Sequence, residues 1–189
     1  MQLILASASP RRRELLSLFG IPFSVRAADI DETMEKEKPA AREVARVSRE
    51  KALAVPREKG DVVVAADTIV VCDNQILGKP KDPQDAFRML KMLSGRDHQV
   101  MTGCTVLRGE TIETFTEITD LHFRNLSDRE ILKYVESGEP MDKAGAYGIQ
   151  GGAALFCEKL SGDYYNVVGL PVCRLYKTLK ALVPEWMEE

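Results

Sequence analysis

Three stretches of this sequence carry side chains suited to an anionic ligand. The first is Ala6-Ser-Ala-Ser-Pro-Arg-Arg-Arg13, where an apolar run leads into a helix start. A helix N-terminus turns unpaired backbone N–H groups and the positive end of its dipole toward an anion. Ser7, Ser9, Arg11, Arg12 and Arg13 add donors matched to phosphate oxygens. Capping by Ser9 with solvated arginines accounts for the same residues, but a cluster of cations at the positive end of a helix dipole is unfavourable without an anionic partner.

The second stretch is Asp67-Thr68, polar residues inside the apolar run from Asp61 to Cys72. An unpaired buried carboxylate is costly, so Asp67 requires a cation, a hydrogen-bond network or a site opening beside it. Taken alone it could cap a neighbouring turn. Together with Asp31 and Glu32 it could supply the hard oxygen ligands that hold Mg2+ against phosphates.

The third comprises two lysines. Lys51 follows Val44 and Val47 by seven and four positions, which places it on the apolar stripe of a helix, where a snorkelling lysine fits equally well. Lys79 follows a turn in Leu77-Gly-Lys-Pro80. Neither belongs to a P-loop, because Gly78-Lys79 lacks both the upstream glycine and the following Ser or Thr. The glycines of Tyr147-Gly-Ile-Gln-Gly-Gly152 permit either close backbone approach to a ligand or a tight turn, and their spacing does not support a dinucleotide fingerprint. His98 and His122 occur in no metal-ligand spacing and read as structural.

The elements that must position these side chains follow from local signals. A short strand over residues 2 to 6 precedes a helix with Ser9 as N-cap and Pro10 at its first position, ending at Gly20. A second strand is expected from Phe23 to Ala28, then an acidic loop to Pro39 and a long helix from Ala40 to Val55. Residues 61 to 72 have the pattern of a buried strand broken at Asp67-Thr68. Asp73-Asn74 marks a turn, and Asp82-Pro83 starts a helix that stops at Gly95. Frequent β-branched residues from Gln99 to Asn125 predict an antiparallel hairpin turning at Arg108-Gly-Glu110. Ser127 caps a further helix to Ser137, Ala153 to Glu158 forms a strand, and Gly169 to Leu182 closes the chain as an amphipathic helix.

Composition narrows the class. With 189 residues, 44% hydrophobic and 29% charged, the chain is neither disordered nor dependent on disulfides for its core. A net charge of −3 offers no general attraction to a nucleic-acid polymer or an anionic membrane, so any anion site is local. Cys72, Cys104, Cys157 and Cys173 form no C-x-x-C pair and read as buried, reduced thiols of a cytoplasmic protein. No segment has the length of a membrane span or the pattern of a secretory signal.

Seven segments in order resemble the Maf family of nucleotide pyrophosphatases. They are Leu5-Ala-Ser-Ala-Ser-Pro-Arg-Arg12, Arg49-Glu-Lys-Ala52, Ala66-Asp-Thr-Ile-Val70, Gly78-Lys-Pro80, Leu93-Ser-Gly95 with His98-Gln-Val-Met-Thr-Gly103, Asp142-Lys-Ala-Gly-Ala-Tyr-Gly-Ile-Gln-Gly151, and Asn166-Val-Val-Gly-Leu-Pro171. The form around Asp67 resembles the branch acting on dTTP and UTP rather than the branch associated with 7-methyl-GTP. The resemblance implies Asp67 as general base and Arg11, Thr68 and Gln150 as positions linked to base choice. It further implies Ser7, Arg12, Lys51 and Lys79 as phosphate-handling residues, and Glu32 with Asp67 near a Mg2+ or Mn2+ ion. The implied fold is α/β, a mixed central sheet with two interleaved lobes around a cleft in one domain, similar to the inosine triphosphate pyrophosphatases. Members of the family are often dimers, so the implied partners are a nucleotide and a second copy of the chain. Two other readings remain: a regulatory nucleotide-binding protein linked to septum formation, and a house-cleaning pyrophosphatase for deaminated purine nucleotides such as ITP. A pure sensor would need the cations but not Asp67.

Overall fold

A computed structural model describes residues 1–35 and 37–186. The chain runs β1 (Leu3–Leu5), α1 (Pro10–Ser17), β2 (Phe23–Val25), α2 (Ala40–Ala54), β3 (Val62–Cys72), β4 (Gln75–Leu77), α3 (Pro83–Leu93), β5 (Asp97–Arg108), β6 (Thr111–Phe123), α4 (Asp128–Glu136), β7 (Cys157–Ser161), α5 (Tyr164–Val168) and α6 (Val172–Leu182), with short 3-10 turns between and after them. The seven-stranded sheet has the order β2-β1-β3-β5-β6-β7, and β4 pairs with β3. It is mixed: β1 lies parallel to β2 and β3, whereas β4 and β7 are antiparallel to their partners. The fold is thus α/β.

By contacts the chain divides into two compact units, each assembled from separate stretches. One comprises Met1–Asp67, Thr102–Glu117 and Gly169–Glu189, and the other Thr68–Met101 and Ile118–Val168. In the first unit, β1 and β3 are buried along both faces, as expected of parallel strands whose sequence is continuously apolar. Ile4, Ala6, Val63, Ala65 and Leu107 pack with Ala52 and Val55 at the end of α2. α2 buries Val44, Val47, Ser48 and Lys51, a stripe at helical spacing that points inward. Gly103 of β5 is in intimate contact with this helix, for a Cβ there would stand 2.3 Å from the Val44 carbonyl oxygen.

The second unit has its own core of Val70, Leu90, Leu93, Phe123, Ile131, Tyr134, Tyr147 and Phe156. Its helices begin as local chemistry dictates. The Asp82 side chain accepts from the Asp85 N–H ahead of Pro83, and Ser127 and Glu130 form a reciprocal capping box.

Several expectations need correction. β3 passes through Asp67-Thr68 without a break, because the buried carboxylate is satisfied by a side chain and the backbone ladder need not open for it. β2 stops at Val25, since its partner β1 ends at Leu5. The expected strand over Ala153 to Glu158 is instead a 3-10 turn, Gly152–Leu155, followed by β7. Phe156 turns into the core against Tyr134 and Phe123, and only then does the chain pair with β6. The closing helix starts at Val172 rather than Gly169, which has φ +126°, and Pro171 disfavours helical backbone before it. The short hairpin strand β4 and helix α5 carry too few residues for a periodic signal. All four cysteines are free, but only Cys72 and Cys104 are buried; Cys157 is half-buried and Cys173 is exposed on α6.

Candidate active site

The site is built from α1, α2, the stretch of β3 up to Asp67 and the loop before α2, all in the first unit. Side chains 63, 65 and 67 share one face of β3, and the first two pack with α2 residues. Asp67 therefore faces the helix, where the inward stripe brings Lys51. The Lys51 Nζ donates to Asp67 Oδ1 at 2.7 Å and lies 2.9 Å from Glu32 Oε1. Asp67 is 8% exposed and Lys51 7%, so the pair is buried, while Glu32 enters from the exposed loop. Lys51 is a buried ion-pair partner and does not snorkel to solvent.

Two residues that the sequence reading passed over hold Glu32 in reach. Glu43, itself buried, accepts from the Glu35 backbone N–H at 2.9 Å. Arg46 bridges Glu43 and Glu50 and donates to the Thr33 carbonyl at 2.8 Å. Bonds to both carboxylates raise the Arg46 pKa above its ordinary value, and the bond to Arg46 holds the Glu43 carboxyl below the usual range. The Glu43-x-x-Arg46 spacing on a helix was the signal that could have found this clamp.

At the end of β1, the Ser9 side chain caps α1 by accepting from the Arg12 N–H. The Ser7 hydroxyl accepts from the Ser9 N–H at 3.3 Å and from the Arg12 guanidinium at 3.2 Å. Arg12 Nε also donates to the Gly169 carbonyl at 2.8 Å, so the guanidinium is fixed from both sides. Desolvation lowers the Arg12 pKa from its ordinary value, against the pull of Asp67 and, more weakly, Cys104 and Glu32. Arginine remains charged throughout the accessible pH range. Burial also pushes the Cys104 thiol up to about 12, which makes it inert near neutral pH.

The first unit thus brings together Ser7, Arg12, Glu32, Lys51 and Asp67. Arg11 stands beside Arg12 on α1, half-buried. Thr68, Lys79 and Gln150 belong to the second unit. There Lys79 is exposed on the loop after β4, and the Gly78 carbonyl in that loop accepts from Gly145 N–H. Gln150 is exposed at a turn closed by Gly151 N–H to the Gly148 carbonyl, 3.1 Å. His98 and His122 are structural: the former meets the Tyr147 hydroxyl at 2.8 Å in the core, and the latter pairs with Asp97. The Gly148–Gly152 glycines form a tight turn, and the protein's own side chains pack over it. A Cβ at Gly151 would stand 2.0 Å from the Glu139 carboxylate, and one at Gly148 2.6 Å from the Lys143 side chain.

The arrangement suits a divalent cation and a phosphate chain. Asp67 and Glu32 converge on one point, now held by an ammonium, and present hard oxygen donors of the kind Mg2+ takes from one or two carboxylates plus substrate phosphates. Among the described residues no cluster of three or more His, Cys, Asp or Glu could hold a metal.

The chain matches a family model described as Maf-like protein over residues 2–182. It is 51% identical over 183 residues to a dTTP/UTP pyrophosphatase of Alkaliphilus oremlandii, covering 95% of each chain. It is 52% identical over 179 residues to one from Symbiobacterium thermophilum, covering 94% of this chain and 92% of the relative. A HAM1 protein from Coxiella burnetii has a similar fold at 15% identity, with a TM-score of 0.54 over 96% of this chain and 99% of that one. An unbroken match from Gln2 to Leu182, with every site residue above lying inside it, establishes that the chain belongs to the Maf family.

Proposed function

We infer that this protein is a nucleoside triphosphate pyrophosphatase that hydrolyses dTTP and UTP to the nucleoside monophosphate and pyrophosphate. The observation that carries this reading is identity of about half over nearly the whole length to relatives bearing that name. The buried Lys51–Asp67 pair, with Glu32 beside it, gives it a chemical basis.

In the proposed reaction a water oxygen bonds to the α-phosphorus, the bridging bond to the β-phosphate breaks, and pyrophosphate leaves. Asp67 orients that water and takes its proton. Asp67 and Glu32 would hold Mg2+ or Mn2+, which supplies charge neutralisation at the phosphates and makes bound water more acidic. Arg12 and Lys51 neutralise charge spread over the phosphate oxygens, and Ser7 keeps Arg12 aimed. Lys79 as a further phosphate contact, and Arg11, Thr68 and Gln150 in base choice, enter the proposal on sequence grounds. The Gln150 carboxamide offers a donor and an acceptor that match N3–H and O4 of uracil or thymine, while cytosine presents the opposite pattern there. No helix among the described residues is long and apolar enough to cross a membrane; the proposed setting is the cytoplasm, with a homodimer as the assembly and no nucleic-acid polymer as substrate.

The test is a panel of dTTP, UTP, CTP, ATP, GTP, ITP and 7-methyl-GTP with Mg2+, scored for monophosphate and pyrophosphate. The expected result is preference for dTTP and UTP. Preference for any purine would overturn the branch assignment, and preference for ITP in particular would favour the house-cleaning alternative.

A further inference from the structure

The turn that carries Gln150 is held from beneath by two side chains with no role in the chemistry above. Gly148 and Gly151 close a tight turn, with Ile149 and Gln150 at its two central positions. Ile149 packs against the core of the second unit, and Gln150 is left exposed at the tip. The Gly148 N–H, on one side of the turn, donates to the Tyr134 hydroxyl at 3.1 Å. The Gly152 N–H, on the other side, donates to Glu139 Oε2 at 3.1 Å. The circuit closes below, where the Tyr134 hydroxyl donates to Glu139 Oε1 at 2.9 Å.

This circuit is tight at every point. Tyr134 is buried and its ring lies edge-on to Phe156 at 5.2 Å, so its hydroxyl has little freedom to move. Glu139 sits in contact with the Gly151 backbone, where no Cβ fits. Lys143 donates to the Glu139 carbonyl at 2.6 Å and fills the space over Gly148, fixing the short 3-10 turn Glu139–Asp142 that carries the carboxylate. Burial above all, and the bond to Glu139, raise the Tyr134 phenol pKa above its ordinary value against the lowering effect of the Gly148 N–H, so the hydroxyl stays protonated and donates to Glu139.

We propose that Tyr134 and Glu139 are positioning residues that clamp the Gly148–Gly152 turn and thereby set the selectivity Gln150 exerts on the nucleotide base. The inference rests on the pyrimidine reading above and extends it. An amide discriminates uracil from cytosine only while its orientation and height are fixed, because a carboxamide free to move or flip satisfies either base. The clamp supplies that restraint through backbone amides on both sides of the tip.

The experiment compares wild type, Gln150→Ala, Tyr134→Phe, Glu139→Ala and Glu139→Gln, with kcat/KM measured for UTP and CTP. Hydrogen exchange at the Gly148 and Gly152 amides is followed in the nucleotide-free protein. Tyr134→Phe keeps the buried ring and removes only the hydroxyl, and thermal unfolding verifies that each variant is folded. The expected result is faster exchange at Gly148 in Tyr134→Phe and at Gly152 in Glu139→Ala, with the UTP-to-CTP ratio falling at least tenfold toward that of Gln150→Ala. Glu139→Gln, which can accept from Gly152 and donate to Tyr134, should retain most of the selectivity. Combining Tyr134→Phe with Gln150→Ala should lose no more selectivity than Gln150→Ala alone. If Gln150→Ala loses selectivity while folded Tyr134→Phe and Glu139→Ala keep it, the clamp is overturned and the reading of Gln150 stands. If Gln150→Ala itself keeps the wild-type ratio, the base-recognition reading fails and the clamp's proposed purpose fails with it.

Discussion

Lys51 Nζ and Asp67 Oδ1 are 2.7 Å apart, with both side chains about nine-tenths buried between α2 and β3. A buried carboxylate so placed is compensated by its partner, and removal of Lys51 leaves Asp67 charged without that partner, whereas Lys51 without Asp67 still has Glu32 at 2.9 Å. Breaking such a pair commonly costs about 3 to 5 kcal/mol. The pair thus joins the stability of the first unit to the chemistry proposed for it.

Asp67→Asn should abolish turnover while sparing substrate binding, because the amide keeps the shape and loses the base. The expected fall in kcat is about 10^2 to 10^4, with binding of a nonhydrolysable UTP analogue within a few-fold of wild type. Retention of more than a tenth of wild-type kcat would show that Asp67 is not the base.

Arg12→Ala and Lys79→Ala should act chiefly on engagement of the triphosphate. Each loses a charge-assisted contact worth roughly 1.5 to 3 kcal/mol in kcat/KM. Arg12→Ala also frees the Ser7 hydroxyl and the Gly169 carbonyl of a donor, so its loss should be the larger. Steady-state kinetics with UTP decide the matter, and normal values in both variants would return these residues to a structural or surface role.

Gly103→Ala should damage activity from outside the site. Its Cβ would stand 2.3 Å from the Val44 carbonyl oxygen and 2.7 Å from the Ala45 nitrogen, and backbone atoms cannot swing aside as a side chain can. α2 would have to shift, carrying Lys51 off Asp67. Overpacking of this kind costs about 1 to 3 kcal/mol. Urea unfolding should report that loss and kcat should fall with it; wild-type values of both would mean that the helix backs away freely.

His98 makes stability pH-dependent. It is 3% exposed, packed edge-on against Phe123 and Tyr147, and burial lowers its pKa to about 4 against the opposing influence of the Arg96 backbone and Asp97, with His122 adding a weaker lowering effect. The unfolded chain takes up this proton near pH 6.5 while the folded protein refuses it until about pH 4. The stabilisation is therefore complete above pH 6.5 and is lost as pH falls from 6.5 through 4, by about 3 kcal/mol at about 1.4 kcal/mol per pH unit. Denaturant titrations at pH 7.5 and 4.5 on wild type and His98→Gln should show a steeper acid loss in wild type. Equal losses would exclude His98 as the source.

Local chemistry made much of this protein legible before any tertiary contact was considered. Ser9-Pro10, Asp82-Pro83 and Ser127 start helices because a side-chain oxygen reaches an N–H three residues on, a relation contained within four consecutive residues. The unbroken apolar character of residues 62 to 66 required a buried strand, and burial in turn required a partner for Asp67. The identity of that partner depended on which face of α2 docks against β3, and Lys51 is sixteen positions away in sequence. The Glu43–Arg46 hold on the Glu32 loop and the Glu139–Tyr134 clamp beneath Gln150 are likewise decided by tertiary structure. In each, a side chain satisfies a backbone amide or carbonyl that local pairing leaves open, and only packing of the elements determines which side chain arrives there.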